Sequence, residues 1–164
     1  MAKIQIPFLG TSNAVPTRKR NHTSILLSYK DENILIDCGE GTQRQFRIAG
    51  ISHSKLTKIL ITHWHGDHIL GLPGLFQTLR MDNYEKILEV YGPKYTKKFM
   101  ELLQQLFAIK LNLNVSEVSG RFFENKEFYL ESREMNHGIP SLAYSFVIKD
   151  KLRLFRKLRK DNYT

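Results

Sequence analysis

Hydrophobic and polar positions along the chain change period several times, and each change marks an element. Residues 4–9 read as a short strand running into the polar turn Gly10-Thr11-Ser12-Asn13. A second strand over 22–29 and a third over 33–37 flank the turn Lys30-Asp31-Glu32-Asn33, a hairpin arrangement. Gly39-Glu40-Gly41-Thr42 breaks the third strand, and 43–49 read as a helix stopped by Gly50. Residues 58–61, Lys-Ile-Leu-Ile, do not alternate, which suits a strand buried on both faces. A helix is predicted over 69–79 and a strand over 87–91. Pro93 then opens a helix in which Tyr95, Phe99, Leu102, Leu103 and Leu106 recur at helical spacing, a stripe that reads as core rather than as a cofactor site. Strands over 115–118, 127–135 and 143–148 follow. The sequence contains no internal repeat and no low-complexity linker, so it describes one mixed α and β domain.

Composition agrees. A chain of 164 residues can bury roughly 70% of its unfolded surface, and 41% hydrophobic with 25% charged residues is a globular balance. The single cysteine, Cys38, rules out an intramolecular disulfide and is read as packing at a strand end. The opening residues lack the apolar region of a signal peptide, and no run approaches the ~20 apolar residues of a membrane span. These features suit a cytoplasmic domain in a reducing compartment. The charge adds a partner class: 25 Lys+Arg against 16 Asp+Glu leave +9, a balance that attracts polyanions such as nucleic acid, although solubility alone accounts for it equally well. Arg18-Lys19-Arg20 sits in a loop, and 149–160 holds seven basic residues and one acid.

The densest chemistry lies in Thr62-His63-Trp64-His65-Gly66-Asp67-His68, a His-x-His-x-Asp-His pattern. Six His and six Asp placed at random would give it in roughly three of ten thousand such chains. Imidazole and carboxylate are the usual ligands of a hydrolytic zinc. In an extended segment His63 and His65 leave the same face, and a turn at Gly66 would aim Asp67 and His68 at a second point. The motif follows an apolar strand, at the carboxyl end where α/β folds place ligands. By spacing alone His137 is an ordinary loop histidine. His22 and His53 have no ligand neighbours and read as surface or structural, Asp37 is a candidate for orienting a ligand histidine, and Trp64 is expected to pack beneath the loop.

Three further stretches narrow the comparison: Phe8-Leu9-Gly10-Thr11 with Val15-Pro16-Thr17-Arg18-Lys19-Arg20-Asn21, then Ile36-Asp37-Cys38-Gly39-Glu40-Gly41-Thr42-Gln43, then Gly66-Asp67-His68-Ile69-Leu70-Gly71-Leu72-Pro73-Gly74-Leu75. With these the chain resembles the ribonuclease Z family of tRNA 3′-processing endonucleases, in the metallo-β-lactamase superfamily, from Ile4 to Ile148. The resemblance implies an α+β fold, the αββα sandwich, of which 1–148 carry mainly the first αβ half and 149–164 form a basic tail at the start of an exosite arm. It implies two zinc ions, one held by His63, His65 and His137 and the other by Asp67 and His68, with Asp67 also the proton acceptor. It implies precursor tRNA as substrate, held in part by Arg18, Lys19 and Arg20, and a cytoplasmic homodimer. The family's bridging aspartate and last histidine have no counterpart, because no histidine follows His137 and the only later aspartates are Asp150 and Asp161. This chain alone is therefore expected to hold close to one zinc, to leave the inner face of its first sheet uncovered, to self-associate and to cleave poorly. Two other readings stand beside this one: a metallo-β-lactamase-fold hydrolase of small esters, thioesters or phosphodiesters, and a non-catalytic RNA-binding remnant.

Overall fold

The computed structural model describes residues 3–149, so the basic tail beyond Lys149, with Asp150 and Asp161, lies outside the described residues. Strands β1 (Ile4–Gln5) and β2 (Phe8–Gly10) replace the single strand expected there, because Pro7 between them has no N–H to give a ladder. Both pair antiparallel with β3 (Ser24–Tyr29), and the Pro7 carbonyl accepts from the Leu26 N–H at 3.0 Å. β3 and β4 (Glu32–Ile36) form the expected hairpin in a tighter register, Tyr29 opposite Glu32, with Lys30 at φ 53 in the turn. From β4 the sheet turns parallel through β5 (Lys58–Leu60), β6 (Leu88–Gly92) and β7 (Leu113–Glu117).

Helices cover one face of this seven-stranded sheet: α1 (Thr42–Ile48), the single turn α2 (Gly66–Ile69), α3 (Leu72–Met81) and α4 (Thr96–Leu106). One helix was expected over 69–79. It divides because Pro73, in the first turn of α3, cannot donate and so suits a helix start. Gly71 caps that start, its N–H donating to the Cys38 carbonyl at 2.9 Å, and a Cβ there would lie 2.1 Å from the Gly39 oxygen. Leu26, Leu35, Phe46, Ile59, Leu75 and Phe76 fill the helix–sheet layer. Burying an aromatic or leucine side chain of this kind stabilises by about 1.5–3 kcal/mol.

Strands β8 (Gly120–Glu124), β9 (Phe128–Met135) and β10 (Ser141–Ile148) make a second antiparallel sheet, order β10-β9-β8. This overturns the expectation of an uncovered inner face. Tyr29, Ile34, Leu60 and Tyr91 of the first sheet are buried against Phe128 and Leu130 of the second. Polar bonds stitch the layers together. The Leu142 N–H donates to the Thr62 carbonyl and the Tyr144 hydroxyl to the Ile61 carbonyl, both at 2.8 Å. Lys58, 4% exposed, bonds Glu32 at 2.8 Å and Glu89 at 3.2 Å, with its ammonium 4.1 Å from the Phe123 ring centroid. No helix among the described residues is long and apolar enough to cross a membrane.

Candidate metal centre

The parallel strand β5 ends at Leu60, and His65, extended with a ψ of 148°, directly precedes the first helical residue of α2. His63 and His65 leave the same side, with ring centroids 4.7 Å apart. The change of direction comes from α2 itself. Gly66 is not among the residues of positive φ, so the turn does not need its conformational freedom. One helical turn brings His68 back toward His63, centroid to centroid 4.1 Å, and leaves the Asp67 carboxylate 3.5 Å from His68 Nε2.

His137 arrives from the other sheet. It sits in the β9–β10 hairpin, 4.7 Å from the His63 ring and 5.2 Å from that of His65. One ring nitrogen from each of His63, His65 and His137 lies within 4.8 Å of the others. A tetrahedral zinc with bonds of ~2.0–2.1 Å asks for nitrogens about 3.4 Å apart, closer than this bound, and the His65 and His137 rings are exposed. Three neutral-capable imidazoles opening toward solvent fit a hydrolytic metal in their donor chemistry. His63 is buried, and burial together with the neighbouring His68, His65 and His137 lowers its pKa to about 4 against the opposing pull of Asp37. It is therefore uncharged at neutral pH.

Asp37 organises the tautomers. It lies 2% exposed at φ 57, a left-handed conformation that Asp tolerates better than most residues. Oδ1 accepts from the Thr62 N–H at 2.8 Å, and Oδ2 accepts from the Thr62 hydroxyl at 2.7 Å and from His68 Nδ1 at 2.6 Å. Since the Thr62 hydroxyl has spent its proton, it can only accept from His63 Nδ1, 2.9 Å away. One carboxylate thus fixes both Nδ1 protons and, in the neutral rings, leaves Nε2 of His63 and His68 as the free lone pairs. Burial opposes charge on His68, but the hydrogen bond and charge of Asp37, with Asp67 adding, raise its pKa overall. Sequence reasoning proposed Asp37 as a partner of a ligand histidine and gave Thr62 no role; the hydroxyl directly before the motif was the available signal.

The remaining candidates divide. Trp64 packs beneath the loop, its indole N–H donating to Thr96 Oγ1 at 2.9 Å and its ring 4.9 Å from Phe99. Cys38 is buried, with burial pushing its thiol up to about 12, so it serves packing. His53 is buried and bonded to Asp82 at 2.6 Å, and His22 is buried with Nε2 3.3 Å from the Ala14 carbonyl. Both are structural. Arg18, Lys19 and Arg20 are exposed and form no ion pair among the described residues. Their loop is nonetheless ordered by the Thr17 side chain, which accepts from the Lys19 and Arg20 N–H groups. Asn21 Nδ2 ties it to the Glu40 carbonyl at 2.6 Å. Gly39 lets this root approach the metal motif, since a Cβ there would lie 2.4 Å from both the Asp67 oxygen and His22 Cβ.

Comparison with known proteins follows the same lines. The family model described as Anti-Pycsar protein Apyc1 matches residues 4–155. A ribonuclease Z of Methanothermobacter thermautotrophicus is 43% identical over 157 residues, covering 94% of this chain and 51% of the relative. Human tRNase Z, short form, superposes with a TM-score of 0.77 at 30% identity, over 87% of this chain and 64% of that one. A metallo-β-lactamase fold protein from Bacillus subtilis superposes with a TM-score of 0.73 at 17% identity, over 88% of this chain and 58% of that one. The fold is that of the metallo-β-lactamase proteins, and the chain spans about half the length of the curated relatives it matches.

Proposed function

The chain belongs to the Anti-Pycsar protein Apyc1 family, and from its likeness to ribonuclease Z proteins we propose that it serves phosphodiester hydrolysis in precursor tRNA, releasing the 3′ trailer after the discriminator nucleotide. The observation that carries this reading is the meeting of His137 with His63 and His65 on a solvent-open face, in a chain 43% identical to a ribonuclease Z. His63, His65 and His137 would hold one zinc, and Asp67 with His68 would contribute to a second. Zinc bound there would supply positive charge to neutralise a phosphate oxygen and to lower the pKa of a water.

The protein groups do the rest. Asp67 accepts the proton of the attacking water, its carboxylate held beside His68. Asp37 keeps His63 and His68 in the tautomer that presents Nε2. Arg18, Lys19 and Arg20, fixed in a loop rooted against the motif, contact RNA phosphates, which sets register without reading sequence. We place the working enzyme in the cytoplasm as a homodimer. The test is incubation of the chain with zinc and end-labelled precursor tRNA beside small phosphodiesters. Cleavage after the discriminator nucleotide, abolished by a chelator, supports the proposal. Because the chain spans about half of its relatives, cleavage is read with the second half of a ribonuclease Z relative supplied, and hydrolysis of the small phosphodiesters alone there, or RNA binding without any cleavage, overturns it.

A further inference from the structure

A cavity of about 260 Å³ lies beside the metal centre, between the β6–α4 loop and the stem of the hairpin that carries His137. Pro93 and Lys94 line it from the loop, Glu134, Met135 and Pro140 from the hairpin, and Val118 also contributes to the lining. Both sides are tied to the metal motif. Leu142, itself part of the hairpin lining, donates its N–H to the Thr62 carbonyl. On the other side the Trp64 indole donates to Thr96 Oγ1, whose hydroxyl donates to the Pro93 carbonyl at 2.7 Å. Whatever fills the cavity is therefore held at a fixed offset from His63 and His137.

The lining selects among ligands. Pro93, Val118, Met135 and Pro140 offer apolar contact, and Met135 keeps 55% of its surface in solvent although its thioether suits the face or edge of a ring. Two charges and the Ser141 hydroxyl make up the polar lining, and neither the Lys94 nor the Glu134 side chain has an ion-pair or hydrogen-bond partner among the described residues. Lys94 Nζ rests 5.0 Å from the Tyr95 ring centroid. A free phosphate would suit Lys94 but meet repulsion from Glu134, and a purely apolar ligand would leave both charges without a partner. A nucleotide satisfies both.

We propose that this cavity is a nucleobase subsite that takes a base flanking the scissile phosphate and prefers bases with an exocyclic amino group. Glu134 accepts from the amine, Lys94 meets the adjoining phosphate, and the apolar walls contact the ring. This rests on the phosphodiesterase reading of the metal centre. Cytosine presents an N4 amine that a carboxylate accepts from, whereas the pyrimidine lacking it presents a carbonyl oxygen at the same position and is repelled.

The experiment titrates the full chain, with zinc, against cytidine and uridine RNA hexamers by fluorescence anisotropy. The cytidine hexamer is expected to bind about tenfold more tightly. Glu134→Gln should erase that preference, since an amide donates as well as accepts. Lys94→Ala should weaken both hexamers alike and lower the salt dependence by about one unit of slope. Both side chains are exposed, so folding is not at stake, and circular dichroism verifies it. Equal wild-type affinities, or a preference that survives Glu134→Gln, would overturn the subsite. The precursor tRNA assay separates this from the parent proposal: cleavage without base preference refutes the subsite alone, and base preference without cleavage refutes the nuclease reading alone.

Discussion

Asp37→Asn isolates the role of one charge at constant shape. The amide tolerates the left-handed backbone at this position as the acid does. Its oxygen must face the Thr62 N–H, which accepts nothing, so its NH2 takes the Oδ2 side and turns from acceptor to donor. There it donates to the Thr62 hydroxyl and to His68 Nδ1. The hydroxyl, released, donates to His63 Nδ1. Both imidazole protons move to Nε2, the atom the wild type leaves free. Three bonds to the carboxylate, at 2.6, 2.7 and 2.8 Å, become bonds to a neutral amide. At 1.5–3 kcal/mol for a bond to a charged group and about 1 for a neutral one, the metal-free chain should lose about 2–3 kcal/mol. Asp37→Ala leaves the Thr62 N–H without a partner as well and should cost about 3–5 kcal/mol. Zinc affinity in Asp37→Asn should fall by 10- to 100-fold. Urea unfolding without metal gives the first two figures, zinc titration the third, and the 15N shifts of His63 and His68 report the tautomers directly. An Asn variant with wild-type stability and Nδ1 protons still in place would refute the relay.

Lys58→Met should destabilise by about 2–4 kcal/mol, because it leaves Glu32 and Glu89 facing each other with little solvent; thermal unfolding measures it, and a neutral result would mean the two acids find other partners. The metal-free chain should be most stable near pH 6.5. His63, with its pKa lowered to about 4, releases its destabilising proton as pH rises from 4 to 6.5, while His68, with its pKa raised, contributes stability below its ordinary value that is lost as pH rises through the shifted one. Unfolding free energies between pH 4 and 8 should therefore pass through a maximum, and a monotonic profile would contradict the pairing. Ala108→Gly should stabilise by about 0.5–1 kcal/mol, since Ala108 holds φ 48 just past α4 and the strain of an L-residue there exceeds the extra chain entropy of glycine; a lower denaturation midpoint would show the strain is absent.

Local patterns made most of the helix–sheet half legible. The unalternating 58–61 run is a strand buried in a parallel sheet, and the β3–β4 hairpin lies where its turn residues placed it. β8 was missed because Gly-Arg-Phe-Phe-Glu carries no alternation of its own and becomes a strand only through its pairing with β9. The cover on the first sheet was misjudged for a related reason. Phe128, Leu130 and Tyr29 belong to one core, yet nothing in their spacing says that two sheets face each other. In the candidate metal centre His63, His65, Asp67 and His68 were readable as a motif. His137 was not readable from spacing, since its nearness to His63 is a property of sheet packing, and the resemblance supplied it. The Thr62 relay depends on which lone pair a hydroxyl has left, which only the geometry shows.

The stitch between the sheets has a consequence for the order of events in folding. His65 and His137 are 72 positions apart, but closing a loop of that size costs only about 0.6 kcal/mol more than closing one half as long. Sequence separation therefore decides when the triad forms far more than whether it forms. Until β9 and β10 dock, His63 and His65 offer two nitrogens, fewer than the three protein ligands of a typical catalytic zinc site. A metal ion taken up by all three binds only the docked form and stabilises it by mass action. Zinc should then slow amide hydrogen exchange across β9 and β10 while leaving α1 and α3 almost unchanged. The ion would act as a latch on the second sheet, set after the helix layer has closed.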